Sequence, residues 1–130
     1  MSEVIVVDAA NVVGSRPDGW WRDRAGAAQR LLADLVALQE HSSWTGRMVV
    51  VLEGAAKGAV PDRMVPGLEV VRAEGSGDDA IVAVVAASVE SDAITVVTAD
   101  RGLRARVEEL GASVVGPRWL LDRMASARNS

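Results

Sequence analysis

Glu3-Val-Ile-Val-Val-Asp8 decides how the rest of the chain is read. Four β-branched aliphatic residues stand in a row with no polar residue between them. A strand of this kind has no face to give to water and is covered on both sides, as in a parallel sheet flanked by helices. The run closes on an acid, Asp8. Working outward, the pattern returns. Met48 to Leu52 is a second apolar run and stops at Glu53; Leu68 to Val71 is a shorter third; Ala93 to Thr98 is a fourth, two residues before Asp100; Ser113 to Val115 is a fifth. Helical spacing fills the intervals. Ala28, Leu31, Leu32, Leu35 and Leu38 form an apolar stripe within residues 24–40. Asp78 to Glu90 is apolar almost all round, which predicts a buried helix, and its two leading acids suit the positive end of the helix dipole. Leu103, Val107 and Leu110 precede a helix stop at Gly111, and Pro117 opens a last helix after Gly116. Strands alternating with helices predict an α/β domain with a parallel sheet between two helical layers.

Composition agrees with one such domain over residues 1–130. Apolar residues make up 49% of the chain and charged residues 25%, an ordinary globular balance. A chain of this length buries roughly two thirds of its unfolded surface, enough for a core without covalent staples. Cysteine is absent, which excludes disulfides, thiolate catalysis and cysteine-ligated zinc. His41 is the single histidine and reads as a surface residue at a helix end beside Ser42 and Ser43. The net charge is −4, so no broad basic footprint for nucleic acid is visible. No apolar stretch reaches the roughly 18 residues of a membrane span, and the first residues do not read as a signal peptide. The expectation is a cytoplasmic protein with no membrane partner. Arginine in place of all but one lysine, Lys57, and the weight of Ala and Val read as the codon bias of a GC-rich bacterial genome.

The acids carry the functional signal through their positions. Asp8 and Glu53 end the first two strands, and Asp100 follows the fourth by two residues. Asp78 and Asp79 start the helix that leads into that fourth strand, and they join the same edge if the Gly75-Ser76-Gly77 turn brings that helix start to it. In an open parallel sheet, ligands bind outside the carboxyl ends of the strands, near the switch in strand order. Taken singly, Asp78 and Asp100 read equally well as helix caps and Glu53 as a solvated strand end. Together on one rim they repel, and a cation relieves that repulsion. Oxygen donors without cysteine or a suitable histidine select Mg²⁺ or Mn²⁺, one or two ions, which activate water and clamp a phosphoryl group.

These residues resemble the PIN-like nuclease superfamily and, within it, the NYN-domain group. Val7-Asp8-Ala9-Ala10-Asn11 is similar to the family's opening acid with an asparagine three residues on. Gly75-Ser76-Gly77-Asp78-Asp79-Ala80-Ile81 resembles its acidic helix start, Val96-Val97-Thr98-Ala99-Asp100-Arg101-Gly102-Leu103 its Thr/Ser-x-Asp element, and Ala112 to Gly116 its closing strand. The resemblance implies a three-layer α/β/α sandwich with strand order 3-2-1-4-5. It implies a metal-dependent ribonuclease acting on RNA, single-stranded or structured, and leaving 5′-phosphate and 3′-hydroxyl ends. By position, Asp8, Asp78 and Asp100 become the catalytic, metal-binding acids. Asn11 orients the first of them, and Thr98 supports it with a hydroxyl. Glu53 or Asp79 completes the metal's ligands, and the sequence leaves open which of Asp78 and Asp79 points inward. A homodimer and an antitoxin-type protein partner also belong to what the resemblance implies.

Residues 14–24, Gly-Ser-Arg-Pro-Asp-Gly-Trp-Trp-Arg-Asp-Arg, read as a polar loop near this edge. Arg16, Arg22 and Arg24 within it, and Arg101 after the last acid, are the candidate phosphate contacts. Trp20 or Trp21 is a candidate to stack on a base, against the alternative that both pack the loop onto the body. Trp44 and Trp119 read as core or core-edge residues. Arg104 and Glu108, four residues apart, read as a surface ion pair. The rival function is a non-catalytic RNA-binding or protein-interaction module on the same fold.

Overall fold

The structure, a computed structural model, describes residues 2–41, 46–88 and 92–128. Five strands form one sheet: β1 (Ser2–Asp8), β2 (Arg47–Leu52), β3 (Leu68–Arg72), β4 (Asp92–Val97) and β5 (Ser113–Val115). Their spatial order is β3-β2-β1-β4-β5 and every pairing is parallel. The helices are α1 (Ala9–Gly14), α2 (Arg24–His41), α3 (Gly77–Ser88), α4 (Arg101–Glu109) and α5 (Pro117–Arg128). This is the α/β/α arrangement and strand order expected for a PIN-like fold.

β1 is the central strand, and its alternation builds both layers. Ile5 and Val7 enter a buried cluster with Val12, Leu31, Leu35 and Leu120, from α1, α2 and α5. Val4 and Val6 enter another with Ile81, Val85, Leu103 and Val107, from α3 and α4. A polar residue at any of these four positions would lose its water on one face or the other. That requirement explains why the run is apolar without interruption.

Several expectations shift at the edges. β4 ends at Val97, so Thr98 is the first residue beyond the strand. The helix read as reaching Glu90 is described to Ser88; residues 89 and 90, like Ser42, Ser43 and Trp44, lie outside the described residues. His41 is exposed at the end of α2, as expected. α1 is an addition: it starts directly from Asp8, whose side chain caps it, and it buries Ala9, Val12 and Val13. The segment 14–24 is also more ordered than a polar loop. It contains the last residue of α1 and a 3₁₀ turn over Trp20–Arg22, and Arg16 fastens it to α2 through Asp34 at 2.7 Å. A second 3₁₀ turn, Gly54–Gly58, follows β2. Among the described residues no helix is long and apolar enough to cross a membrane.

Candidate active site

The switch in strand order falls between β1 and β4, the strands that leave the sheet centre in opposite directions of connection. Val7 pairs with Val97, so Asp8 and Thr98 emerge side by side. Both are buried, at 3% exposure each. Thr98 Oγ1 donates to Asp8 Oδ2 at 2.8 Å, and Asn11 Nδ2 donates to the same oxygen at 2.8 Å. The other carboxylate oxygen, Oδ1, accepts from the Asn11 backbone N–H at 3.4 Å. Asn11 Oδ1 in turn accepts from the Ala99 N–H at 3.2 Å, and Thr98 Oγ1 accepts from the Asp100 N–H at 3.1 Å. Asp100 Oδ1 caps α4 by accepting from the Leu103 N–H at 2.9 Å. One short network thus ties the end of β1, the start of α1 and the β4–α4 turn together.

Asp78 and Glu53 approach from the α3 side. Glu53 Oε2 accepts from the Gly77 N–H at 2.8 Å, which joins the end of β2 to the start of α3. The approach depends on glycine, because a Cβ at position 77 would stand 2.9 Å from the Glu53 Cδ. Asp78 follows in the first turn of α3. Burial pushes its carboxyl above the ordinary value, and the like charges of Asp100 and Glu53 push it further. Burial also raises the Asp8 carboxyl, against the lowering effect of the Thr98 and Asn11 hydrogen bonds, with a small further rise from the charge of Asp78. The four acids therefore share one electrostatic field. Among the described residues, no three acidic or histidine side chains yet close on a single point to cage an ion. The donor set is all oxygen, and two of its members are held above their ordinary range. That chemistry fits a hard divalent cation such as Mg²⁺ or Mn²⁺.

The remaining sequence candidates divide. Asp79 adds the smallest of the like charges acting on Asp78, and it is itself paired: Arg106 of α4 donates to its carboxylate at 2.9 Å and holds it below the usual range at the exposed surface. Successive residues of a helix point about 100° apart, so only one of the two can face the edge. Arg16 is engaged with Asp34. Arg22 lies over the Trp21 ring at 5.8 Å and Arg24 over the Trp20 ring at 5.5 Å. Arg101 is exposed at the first position of α4, next to Asp100. Trp20 is half-buried against the core, Trp21 is 58% exposed, and Trp119 packs at the core edge. The Arg104–Glu108 pair forms at 3.2 Å.

Two clefts flank α1 at this edge. One, of about 860 Å³, is lined by Asn11, Ser15, Ala99, Pro117 and Arg118 among others. The other, of about 410 Å³, is lined by Ala10, Val13, Trp20, Arg24, Glu53 and the start of the 54–58 turn. Arg118 is the residue that the sequence reading missed. The strand-end argument applied to β5 finds it, because Gly116-Pro117-Arg118 leaves that strand on the same rim.

No protein-family model matches the chain, and no curated protein sequence matches it. Solved structures do. A crystal structure of a point mutant of Rae1 (YacP) from Bacillus subtilis superposes with a TM-score of 0.80 at 20% identity, over 99% of this chain and 78% of that one. A second crystal structure of Rae1 (YacP) from the same organism gives 0.75 at 19% identity, over 97% and 75%. The likeness covers the whole α/β/α fold, so this chain shares its PIN-like architecture.

Proposed function

We propose that this chain is a metal-dependent ribonuclease of the PIN-like superfamily, in its NYN-domain group. The observation that carries the reading is the set of charge-coupled acids at the switch point, Asp8, Asp78 and Asp100, two of them held above their ordinary protonation range. The shared fold and the family resemblance of the motifs support it. Asp8, Asp78 and Asp100 would hold Mg²⁺ or Mn²⁺. When bound, the ion supplies activation of water and offsets charge on the phosphoryl group and the leaving oxygen.

The chain's own residues prepare the site. Thr98 and Asn11 occupy Asp8 Oδ2 and so leave Oδ1, with only its long contact to the Asn11 N–H, as the more available oxygen. Asp100 spends Oδ1 on the α4 cap and keeps Oδ2 for the edge. Glu53 sets the start of α3 and with it the place of Asp78. Arg101 and Arg118, both exposed on this rim, meet the phosphates of the strand on either side of the acids.

Cleavage of a labelled single-stranded RNA by Asp78→Asn and Asp79→Asn chains tests the reading. Even partners behind a metal ligand are worth about 10–100-fold, so losing Asp78 should cost at least that much activity. Asp79→Asn should cut like wild type. Equal activity in both variants would remove Asp78 from the site. An RNA bound and never cut, with or without Mn²⁺, would favour the non-catalytic RNA-binding module.

A further inference from the structure

We propose that the cleft walled by Trp20, Arg24, Glu53 and Ala10 is a nucleobase subsite, in which Trp20 stacks on one unpaired base of the RNA held at the acidic edge. The inference rests on the ribonuclease reading and adds to it where one base of the substrate goes. Position is the first argument. Ala10 lies two residues from Asp8, and Glu53, which lines the cleft, contacts the helix start that carries Asp78, so the cleft lies beside the acidic edge. Size is the second. At about 410 Å³, with Val13, Ala55 and Ala56 in its lining, the cleft is at the small end of ligand sites and suits one planar base.

The aromatic wall is the third. The chain has no Phe or Tyr and four Trp, and two of the four stand together at this edge. Of those two, Trp20 lines the cleft and Trp21 does not. Trp21 meets Trp20 edge-on, with centroids 6.0 Å apart and planes at 88°, which braces the ring. Position 14 is a glycine, and the Trp20 indole comes within 3.8 Å of where a Cβ would be. The Arg24 guanidinium supplies the fourth argument. It lies 5.5 Å from the Trp20 centroid, whereas Arg123 closes on Trp119 to 4.1 Å. Planar groups in contact stack at about 3.5–4 Å. Both pairs are within cation–π reach, and Arg24 stands further from its ring than Arg123 does from its own. A base entering beside Trp20 gains a π-face, and Arg24 is then placed for the phosphate attached to it.

The test compares kcat/KM on single-stranded RNA for wild type, Trp20→Leu, Trp20→Phe and Trp21→Leu, using an RNA series in which one abasic position is stepped along the strand. Leucine keeps apolar bulk without a ring, and equal melting temperatures establish that the fold is intact. Trp20→Leu should lose about tenfold, the usual worth of one stacked base. Trp20→Phe should recover most of that loss, and Trp21→Leu, which removes only the brace, should lose less than Trp20→Leu. One abasic position should cost wild type a similar factor and cost Trp20→Leu nothing more. A Trp20→Leu chain that cuts as well as wild type overturns the subsite and leaves the ribonuclease reading standing. Failure of Trp20→Phe to recover activity, or an abasic penalty that adds in full to Trp20→Leu, also overturns it. If wild type neither binds nor cuts any RNA in the series, both readings fall together.

Discussion

Asp8 is a carboxylate that the fold buries at a cost to itself. Its carboxyl sits above the ordinary value of 3.8, chiefly because burial disfavours the charged form. Stability linked to such a group is present in full below its unfolded value and is lost as pH rises through the raised one. Asp8→Asn carries no charge into the interior and keeps an acceptor for Thr98 and Asn11. In the absence of divalent ions its melting temperature should therefore rise relative to that of wild type between about pH 4 and pH 7, on top of a pH-independent loss from the NH2 group it sets against the Asn11 N–H. Thermal melts of the two chains across that range check this; a relative melting temperature that falls with rising pH would mean that burial does not strain Asp8. The position of Asp8 was legible because a strand-end acid needs no partner to be noticed. The Arg106 partner of Asp79 was not, because it lies 27 residues further along the chain. Nor was the partner of Arg16, Asp34, which lies 18 residues away and which only the folded chain brings to it.

At the scale of elements, all five strands and the four longer helices were readable, and α1 and the 3₁₀ turns were not. β1, β2 and α2 carry enough periodic residues to declare themselves. α1 has six residues, too few for a period, and forms because Asp8 caps it and Val12 and Val13 find the core. The end of β2 is likewise tied to the start of α3 by one side-chain hydrogen bond, Glu53 on the Gly77 N–H. Gly77→Ala should push the Glu53 carboxylate off this N–H and cost about 1–3 kcal/mol, the worth of a hydrogen bond to a charged group. The double variant Glu53→Ala with Gly77→Ala should cost little more than Glu53→Ala alone, because the clash and the bond involve the same carboxylate. Denaturant melts of the three chains give the cycle; fully additive losses would show that the two residues do not act on each other.

For the whole molecule, strand order brings scattered acids to one edge. Order 3-2-1-4-5 places β1 beside β4, so Asp8 and Asp100 follow neighbouring strands where the connections diverge. The sequence pattern announced the parallel sheet, and the family resemblance supplied its order. Net charge concealed the rest: a chain at −4 gives no hint that Arg101, Arg118 and Arg24 gather around the same edge as the acids. Local concentration of opposite charges is invisible in such a sum. The most direct measurement is cleavage of an end-labelled single-stranded RNA by wild type and Asp100→Asn, each with Mn²⁺ and with EDTA. Asparagine is as good a helix cap as aspartate, so the substitution removes charge and spares α4. A metal-dependent nuclease site built on Asp100 requires cutting by wild type with Mn²⁺ alone, and none by Asp100→Asn under either condition. Cutting that survives EDTA, or that persists in Asp100→Asn, would rule that site out.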